Sequence, residues 1–150
     1  MVMANLAVNK RANFDYKVLD RYEAGIVLSG QEVKSIRAGQ ASLKGSFVTL
    51  KGKELYLTNT SIPPYKLATK LEGYNPTQSR KLLLKKSEIK SLIGKMKVQG
   101  LTLVPIRLYT KKRLVKLEFS VARGKKEFDK RQDIAKKEAK RKVERRLRTN

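Results

Sequence analysis

The 150-residue chain has no cysteine, no histidine and no tryptophan, and only thirteen acidic residues. Without cysteine there can be no disulfide and no thiolate metal ligand. Without histidine the commonest zinc ligand and the commonest general base are both missing. The carboxylates are scattered, with no metal-binding spacing, and no phosphate-cradling loop of the Walker or dinucleotide type occurs. Acid–base chemistry would then need paired carboxylates or a lysine of depressed pKa, and no pattern points to either. The expectation is a protein that is not an enzyme, with no cofactor and no metal. No apolar run approaches the roughly 18 residues of a membrane span. Residues 1–10 lack the basic-then-apolar order of a secretory signal. A cytoplasmic protein with no membrane partner is expected.

What the chain has in excess is positive charge. Thirty-six Lys and Arg give a net charge of +23 and a pI near 10.4. Self-repulsion of that size is costly unless a polyanion is the usual partner. Charge alone leaves both nucleic acid and an anionic membrane open. The apolar fraction, 40%, suffices for one modest core.

Phe14 to Asp20 and Tyr22 to Leu28 read as two strands, followed by a helix with Ser29, Val33 and Ile36 on one face and Gly39 at its end. Ser46 to Lys51 and Glu54 to Asn59 form a hairpin about Lys51-Gly52-Lys53, with Phe47, Leu50, Leu55 and Leu57 inward. Thr60 to Arg80, interrupted by Pro63-Pro64, Gly73 and Asn75-Pro76, reads as a loop with a short helix near Lys66 to Leu71. Ser87 is the expected N-cap of a helix with Ile89, Leu92, Ile93 and Met96 at helical spacing, stopped by Gly100. Leu101 to Thr110 and Leu114 to Ala122 make a long hairpin with a Lys111-Lys112-Arg113 tip. Within it Pro105 marks an edge position or a bulge. Six short strands with a helix before the last hairpin predict a mainly β fold, a closed OB-type barrel with two or three flanking helices. The spacing also permits a different small barrel.

The composition changes near Gly124. Residues 123–150 hold 13 basic and 5 acidic residues, with Phe128, Ile134, Val143 and Leu147 as the only large apolar side chains. So thin a stripe cannot offset an ordering entropy of about 1–2 kcal/mol per residue. Two units are expected: a folded body, 1–122, and a basic tail, 123–150, disordered alone and helical when bound.

Basic groups punctuate every element: Lys10-Arg11, Lys34 and Arg37, Arg80-Lys81, Lys85-Lys86, and the hairpin tip. Lys34 and Arg37 lie three apart on one helix face and can meet the same phosphate backbone. Tyr16, Tyr22, Tyr65, Tyr74 and Tyr109 are available for base stacking. Any single lysine is more often a solvated surface residue, but the surplus as a whole demands a counter-charge. Glu23 has two open roles, an ion pair at the core edge or an acceptor for a base amino group or ribose hydroxyl. An RNA-binding protein, a structural ribosomal protein with a basic extension and a nuclease are all compatible with size and charge. The missing histidine and carboxylate clusters oppose the third.

Several stretches recur in one order: Asn9-Lys10-Arg11-Ala12, Tyr22-Glu23-Ala24-Gly25, the run Gly30 to Gly39, Asn75-Pro76-Thr77 with Arg80-Lys81-Leu82-Leu83-Leu84, and Gly124-Lys125-Lys126-Glu127-Phe128-Asp129-Lys130-Arg131. Together they resemble the SsrA-binding protein (small protein B) family of bacteria over nearly the whole chain. The resemblance implies an OB-type barrel that binds the tRNA-like part of transfer-messenger RNA and brings it, with elongation factor Tu, to stalled ribosomes. It places RNA contacts at Asn9, Lys10, Tyr16, Glu23, Lys34, Arg37, Leu83 and Lys85, beside the basic pair Arg80 and Lys81. It implies a tail that enters the empty messenger channel of the small subunit against 16S rRNA, with Lys125, Lys126, Asp129, Lys130, Arg131 and Ile134 on the decoding side. Phe14 stands where many relatives have histidine, and Lys85 where several have asparagine or histidine.

Overall fold

A computed structural model describes residues 4–66 and 72–149, excepting the side chains of residues 4, 127–129 and 149. The chain opens with β1 (Ala4–Val8), the one-turn α1 (Ala12–Asp15), the long β2 (Tyr16–Ile26) and α2 (Gly30–Arg37). There follow β3 (Phe47–Lys51), β4 (Glu54–Thr58), β5 (Arg80–Leu83) and α3 (Lys86–Lys95). The hairpin of β6 (Leu101–Lys111) and β7 (Leu114–Gly124) leads into α4 (Glu127–Thr149). The expected short helix near Lys66 to Leu71 falls largely outside the described residues.

The seven strands form one antiparallel sheet in the order β1-β6-β7-β2-β5-β4-β3. Its hydrogen-bonded ladder is open, with β1 and β3 as the two edges. The expected closed barrel is therefore not formed by hydrogen bonding. Closure would need β1 to pair with β3, but β1 has five residues, is bulged between Asn5 and Ala7, and lies along β6. The sheet still curls, and β3 lies close to β6.

Period-two burial builds the strands. In β7, Val115, Leu117, Phe119 and Val121 enter the main core with Leu55, Leu57, Leu82, Leu103 and Leu108, and with Ile36 of α2 and Leu92 of α3. Each such aliphatic side chain, fully buried, stabilises by about 1.5–3 kcal/mol. A smaller cluster of Ala12, Val104 and Ala122, with Tyr16 and Ile106 packed on it, lies under α1. In β3 the register Val48↔Leu57 and Leu50↔Leu55 puts those four on the core face. Phe47 is consequently turned outward and is 46% exposed, against the expectation that it faces inward. Residues three apart in a strand cannot share a face, so Phe47 could not accompany Leu50.

Four further differences from expectation have local causes. The two strands expected over 14–28 are a single β2, which pairs with β7 from Tyr16 to Gly25 across a bulge between Val18 and Asp20, while Phe14 and Asp15 belong to α1. Arg80, expected to end a loop, instead begins β5, whose residues 80–83 bridge β4 and β2. The N-cap of α3 is Lys85, without a side-chain cap, so Ser87 lies inside the first turn. That helix ends at Lys95, before Gly100, whose φ of +85° turns the chain into β6. Of the two positions expected for Pro105, the structure has the bulge: it lies at a register shift in β6, which runs between β1 and β7 and not at an edge.

Candidate RNA interface

α2 starts with a capping box: the Ser29 hydroxyl accepts from the Glu32 backbone N–H, and the Glu32 carboxylate accepts from the Ser29 N–H. Gly39, at φ +78°, lets the chain leave the helix in the left-handed region. Ser35 and Ile36 are buried, which leaves Lys34 and Arg37 on the outer side. The Lys34 ammonium lies 5.8 Å from the Tyr65 ring centroid. The Arg37 guanidinium donates to the Arg113 carbonyl at the tip of the β6–β7 hairpin.

The same hairpin joins α2 to β2. Lys111 is ion-paired with Glu23 at 3.4 Å, and the Tyr109 hydroxyl donates to the same carboxylate. The Tyr109 hydrogen bond, helped by Lys111, holds the Glu23 carboxyl below the usual carboxylate range. Burial, and then that hydrogen bond, pushes the Tyr109 hydroxyl well above its ordinary value. Glu23, Gly25, Leu83, Lys85 and Lys116 line an open hollow of about 510 Å³. Gly25 lies under Leu83, where an added Cβ would come within 3.3 Å of the leucine Cβ, so a side chain there would crowd it. Leu83 stays 52% exposed over that glycine. Arg37, the hairpin tip, Glu23, Leu83 and Lys85 thus follow one another along one face. Lys111 and Lys116 belong to it as well. Lys111 belongs to the basic hairpin tip noted in the sequence, whereas Lys116 was not among the candidate contacts, although the alternation of the hairpin points it to the same side as Glu118 and Ser120.

Asn9, Lys10 and Tyr16 lie elsewhere, at the corner where β1 passes into α1. Asn9 closes the Pro105 bulge: its backbone N–H donates to the Ile106 carbonyl at 2.8 Å and its side-chain amide to the Pro105 carbonyl at 2.8 Å. The root of the tail docks on this corner. The Lys125 N–H donates to the Asp15 carbonyl at 2.8 Å, and its ammonium to the Asn13 carbonyl at 2.6 Å and to Asp133. Lys130 pairs with Asp15 at 3.4 Å, and Phe14 is flanked by Arg11 and Lys130 at 4.9 and 5.8 Å. Lys126 is exposed, and Ile134 is 46% exposed on α4. The side chain of Asp129 lies outside the described set, and Arg131 is on the same helix.

Arg80 is not a surface cation. Its side chain is 2% exposed, and its guanidinium donates to Glu32 at 2.7 Å, to the Thr60 and Pro76 carbonyls at 2.7 and 2.8 Å, and to the Tyr74 hydroxyl at 3.2 Å. Every direction in which it could reach a phosphate is taken by the protein. Burial pushes the Glu32 carboxyl up, but hydrogen bonds from Ser29 and Arg80, with the charge of Arg80, outweigh it and leave the group below its ordinary value. Lys81 is exposed and paired with Glu54 at 3.1 Å. Among the described residues no cluster of three or more His, Cys, Asp or Glu is placed to hold a metal, and no helix is long and apolar enough to cross a membrane.

Comparison with known proteins identifies the family. The family model described as SmpB protein matches residues 6–149. The SsrA-binding protein of Sulfurihydrogenibium sp. (strain YO3AOP1) is 50% identical over 139 residues, 93% of this chain and 91% of that protein. That of Thermosipho africanus (strain TCF52B) is 48% identical over 149 residues, 99% of each. A chain from a solved structure described as "tmRNA-SmpB: a journey to the center of the bacterial ribosome" superposes with a TM-score of 0.68 at 46% identity, covering 83% of this chain and 87% of its own. With the match running almost end to end and nearly half of the residues identical, this chain belongs to the SmpB protein family.

Proposed function

We propose that this chain binds the tRNA-like domain of transfer-messenger RNA and carries it to stalled ribosomes for trans-translation in the cytoplasm. The observation that carries the reading is the continuous face of Arg37, the hairpin tip, Glu23, Leu83 and Lys85, within a family whose relatives are named for binding SsrA. Phosphates are held by Lys34, Arg37, Lys85, Lys111 and Lys116. The exposed Leu83 and the Glu23 carboxylate supply apolar and acceptor contacts that charge alone lacks. The curled sheet serves as an OB-type platform, with its seam left open between β1 and β3.

A second surface is assigned to Asn9, Lys10 and Tyr16, because they adjoin the tail root and not Glu23. From that root α4 extends as a 23-residue helix. Its apolar side chains Ile134, Val143 and Leu147 are 46%, 57% and 74% exposed, so it packs too little to hold itself in place. The tail becomes ordered inside the empty messenger channel of the small subunit, against 16S rRNA, with Lys125, Lys126, Asp129, Lys130, Arg131 and Ile134 on the decoding side. Elongation factor Tu accompanies the RNA during delivery.

The test is binding of the isolated tRNA-like RNA at near-physiological salt. Lys34→Glu with Arg37→Glu is expected to weaken binding at least tenfold, and Lys51→Glu by less than twofold. A chain cut after Gly124, which keeps the whole core, is expected to bind that RNA normally and to be inactive on ribosomes. Equal losses from the two reversals would show a diffuse patch. Loss of RNA binding on truncation would remove the division between body and tail.

A further inference from the structure

The open seam holds a cleft that borders the second surface at Asn9, Lys10 and Tyr16 and adds Lys44 and Phe47, which none of these roles uses. One wall is the end of β1 with the start of α1, the other is the 42–47 turn leading into β3, and Leu103 and Val104 of β6 lie between them. The cleft measures about 520 Å³. Its apolar walls include Val8 and Phe47, 49% and 46% exposed, and Phe47 is the side chain that strand parity turns away from the core. Lys10 and Lys44 stand at its mouth, exposed and, among the described residues, without an ion pair. Asp15, the carboxylate on its lining, is already engaged by Arg11 and Lys130.

We propose that this seam takes one unstacked nucleotide of a bound RNA, its base against Phe47 and its flanking phosphates on Lys10 and Lys44. The inference rests on the RNA-binding reading above and adds to it a site for single-stranded chain. An aromatic ring at the lip of an apolar hollow offers a base the stacking surface it loses on leaving a helix. Unpaired ammonium groups on both sides neutralise the phosphates that such a base brings with it. A duplex cannot use the hollow, because its bases are stacked and only its backbone would reach the rim. An acidic peptide would use the cations but would draw less from an aromatic ring than from an aliphatic wall, so the lining favours a nucleotide. The cleft adjoins Asn9, Lys10 and Tyr16, which places the nucleotide on the tail-root side of the molecule.

The experiment is a ¹⁵N–¹H NMR titration of the full chain with hexauridylate, with a blunt RNA duplex and a hexaglutamate peptide in parallel. Hexauridylate is expected to shift the amides of Val8, Lys44 and Phe47 ahead of those on the α2 face, and the duplex is expected to leave them in place. Phe47→Leu keeps an apolar side chain and loses the ring, so hexauridylate affinity should fall about fivefold or more. Phe47→Tyr should restore it, and Lys44→Glu should lower it. Shifts spread evenly over the basic surfaces, or a Phe47→Leu protein that binds as well as the parent, would overturn the proposal. So would hexaglutamate moving the same amides with equal affinity, which would make the seam a peptide groove. If the parent binds the tRNA-like RNA and only the seam response is missing, this inference fails alone. If it binds no RNA, the reading beneath it fails as well.

Discussion

Replacing Arg80 with methionine tests whether a basic residue in the middle of a basic run contributes to the fold or to the RNA. Arg80 and Glu32 are 2% and 3% exposed, and their 2.7 Å pair ties β5 to α2. Methionine fills most of the volume but removes donors to Glu32, to the carbonyls of Thr60 and Pro76, and to the Tyr74 hydroxyl. Glu32 is then left as a buried charge with only Ser29 and Tyr74 as donors. Breaking a buried pair from one side costs about 3–5 kcal/mol. For a domain of this size each kcal/mol lowers the melting temperature by about 2–4 °C, so a drop of about 6–20 °C is expected. Thermal unfolding followed by circular dichroism, with urea titration, measures it. The double variant Glu32→Gln with Arg80→Met should cost less than the sum of its parts, because no unpaired charge remains. At a temperature where Arg80→Met is fully folded, its affinity for the tRNA-like RNA should stay within twofold of the parent. A stability loss under about 1 kcal/mol, well below the cost of breaking a buried pair, would refute the buried network. A tenfold loss of affinity in the folded variant would return Arg80 to the interface.

Three other outcomes follow from the geometry. The carboxyl of Glu32 is held below its ordinary value, so its contribution is fully present above the unfolded carboxylate pKa, about 4.3, and is lost as pH falls through the lower folded value. The urea midpoint should therefore fall on acidification below about pH 5, and Glu32→Gln, weaker at neutral pH, should show a shallower acid limb. Lys112 and Arg113 form the two-residue hairpin tip at φ +51° and +66°, where Asn-Gly is preferred. Lys112→Asn with Arg113→Gly should raise stability by about 1–2 kcal/mol and lower RNA affinity at least threefold; unchanged affinity would remove the tip from the interface. Glu23→Gln should lower the preference for tRNA-like RNA over a plain duplex, measured by competition. A uniform rise in affinity for both would mean that Glu23 is only an ion-pair partner.

Much of the sheet was legible because burial in strands repeats every two residues. The β6–β7 hairpin, the β3–β4 turn at Gly52 and α2 all stand where alternation, glycine and helical spacing put them. What stayed hidden depends on partners distant in sequence. β5 is four residues long and begins with Arg80, whose charge suggests a surface until Glu32, 48 positions away, is seen to be its partner. β1 is five residues of ordinary composition, recognisable only against β6. Ser29, assigned by spacing to a helix face, is the N-cap of α2. The Ser29-x-x-Glu32 pattern carries that capping box in the sequence itself. The candidate contacts were legible as residue types but not as a grouping. Only the hydrogen bonds of Asn9 and Lys125 show that Asn9, Lys10 and Tyr16 adjoin the tail, while the hairpin tip joins Arg37 to Glu23.

The placement of the few acids explains how so large a net charge yields distinct surfaces. Asp20 is paired with Lys95, Glu32 with Arg80, Glu54 with Lys81, and Glu118 with both Arg21 and Arg107. Apart from the buried Glu32–Arg80 pair, these are exposed or half-exposed and add little to stability, typically about 0–1 kcal/mol each. Their larger effect is on the field, because each cancels a cation of β2, β5, β6 or α3. Among the described residues, positive charge is then left without an ion pair at Lys34 and Arg37 of α2, at Lys112 and Arg113 of the hairpin tip, at Lys85 and at the Lys10–Lys44 corner. Had the thirteen acids been spread evenly, an approaching polyanion would meet a nearly uniform shell and gain affinity without orientation. With several acids spent on cations of the sheet and α3, the free cations fall into patches, and a patchy field helps steer a large RNA into one pose before any short-range contact forms. Glu23 fits the same logic as an exception: it is the acid set within the cationic face, and Tyr109 and Lys111 stabilise its charge. A carboxylate kept ionised there lowers affinity for phosphate in general. It favours an RNA that presents a hydrogen-bond donor at that point.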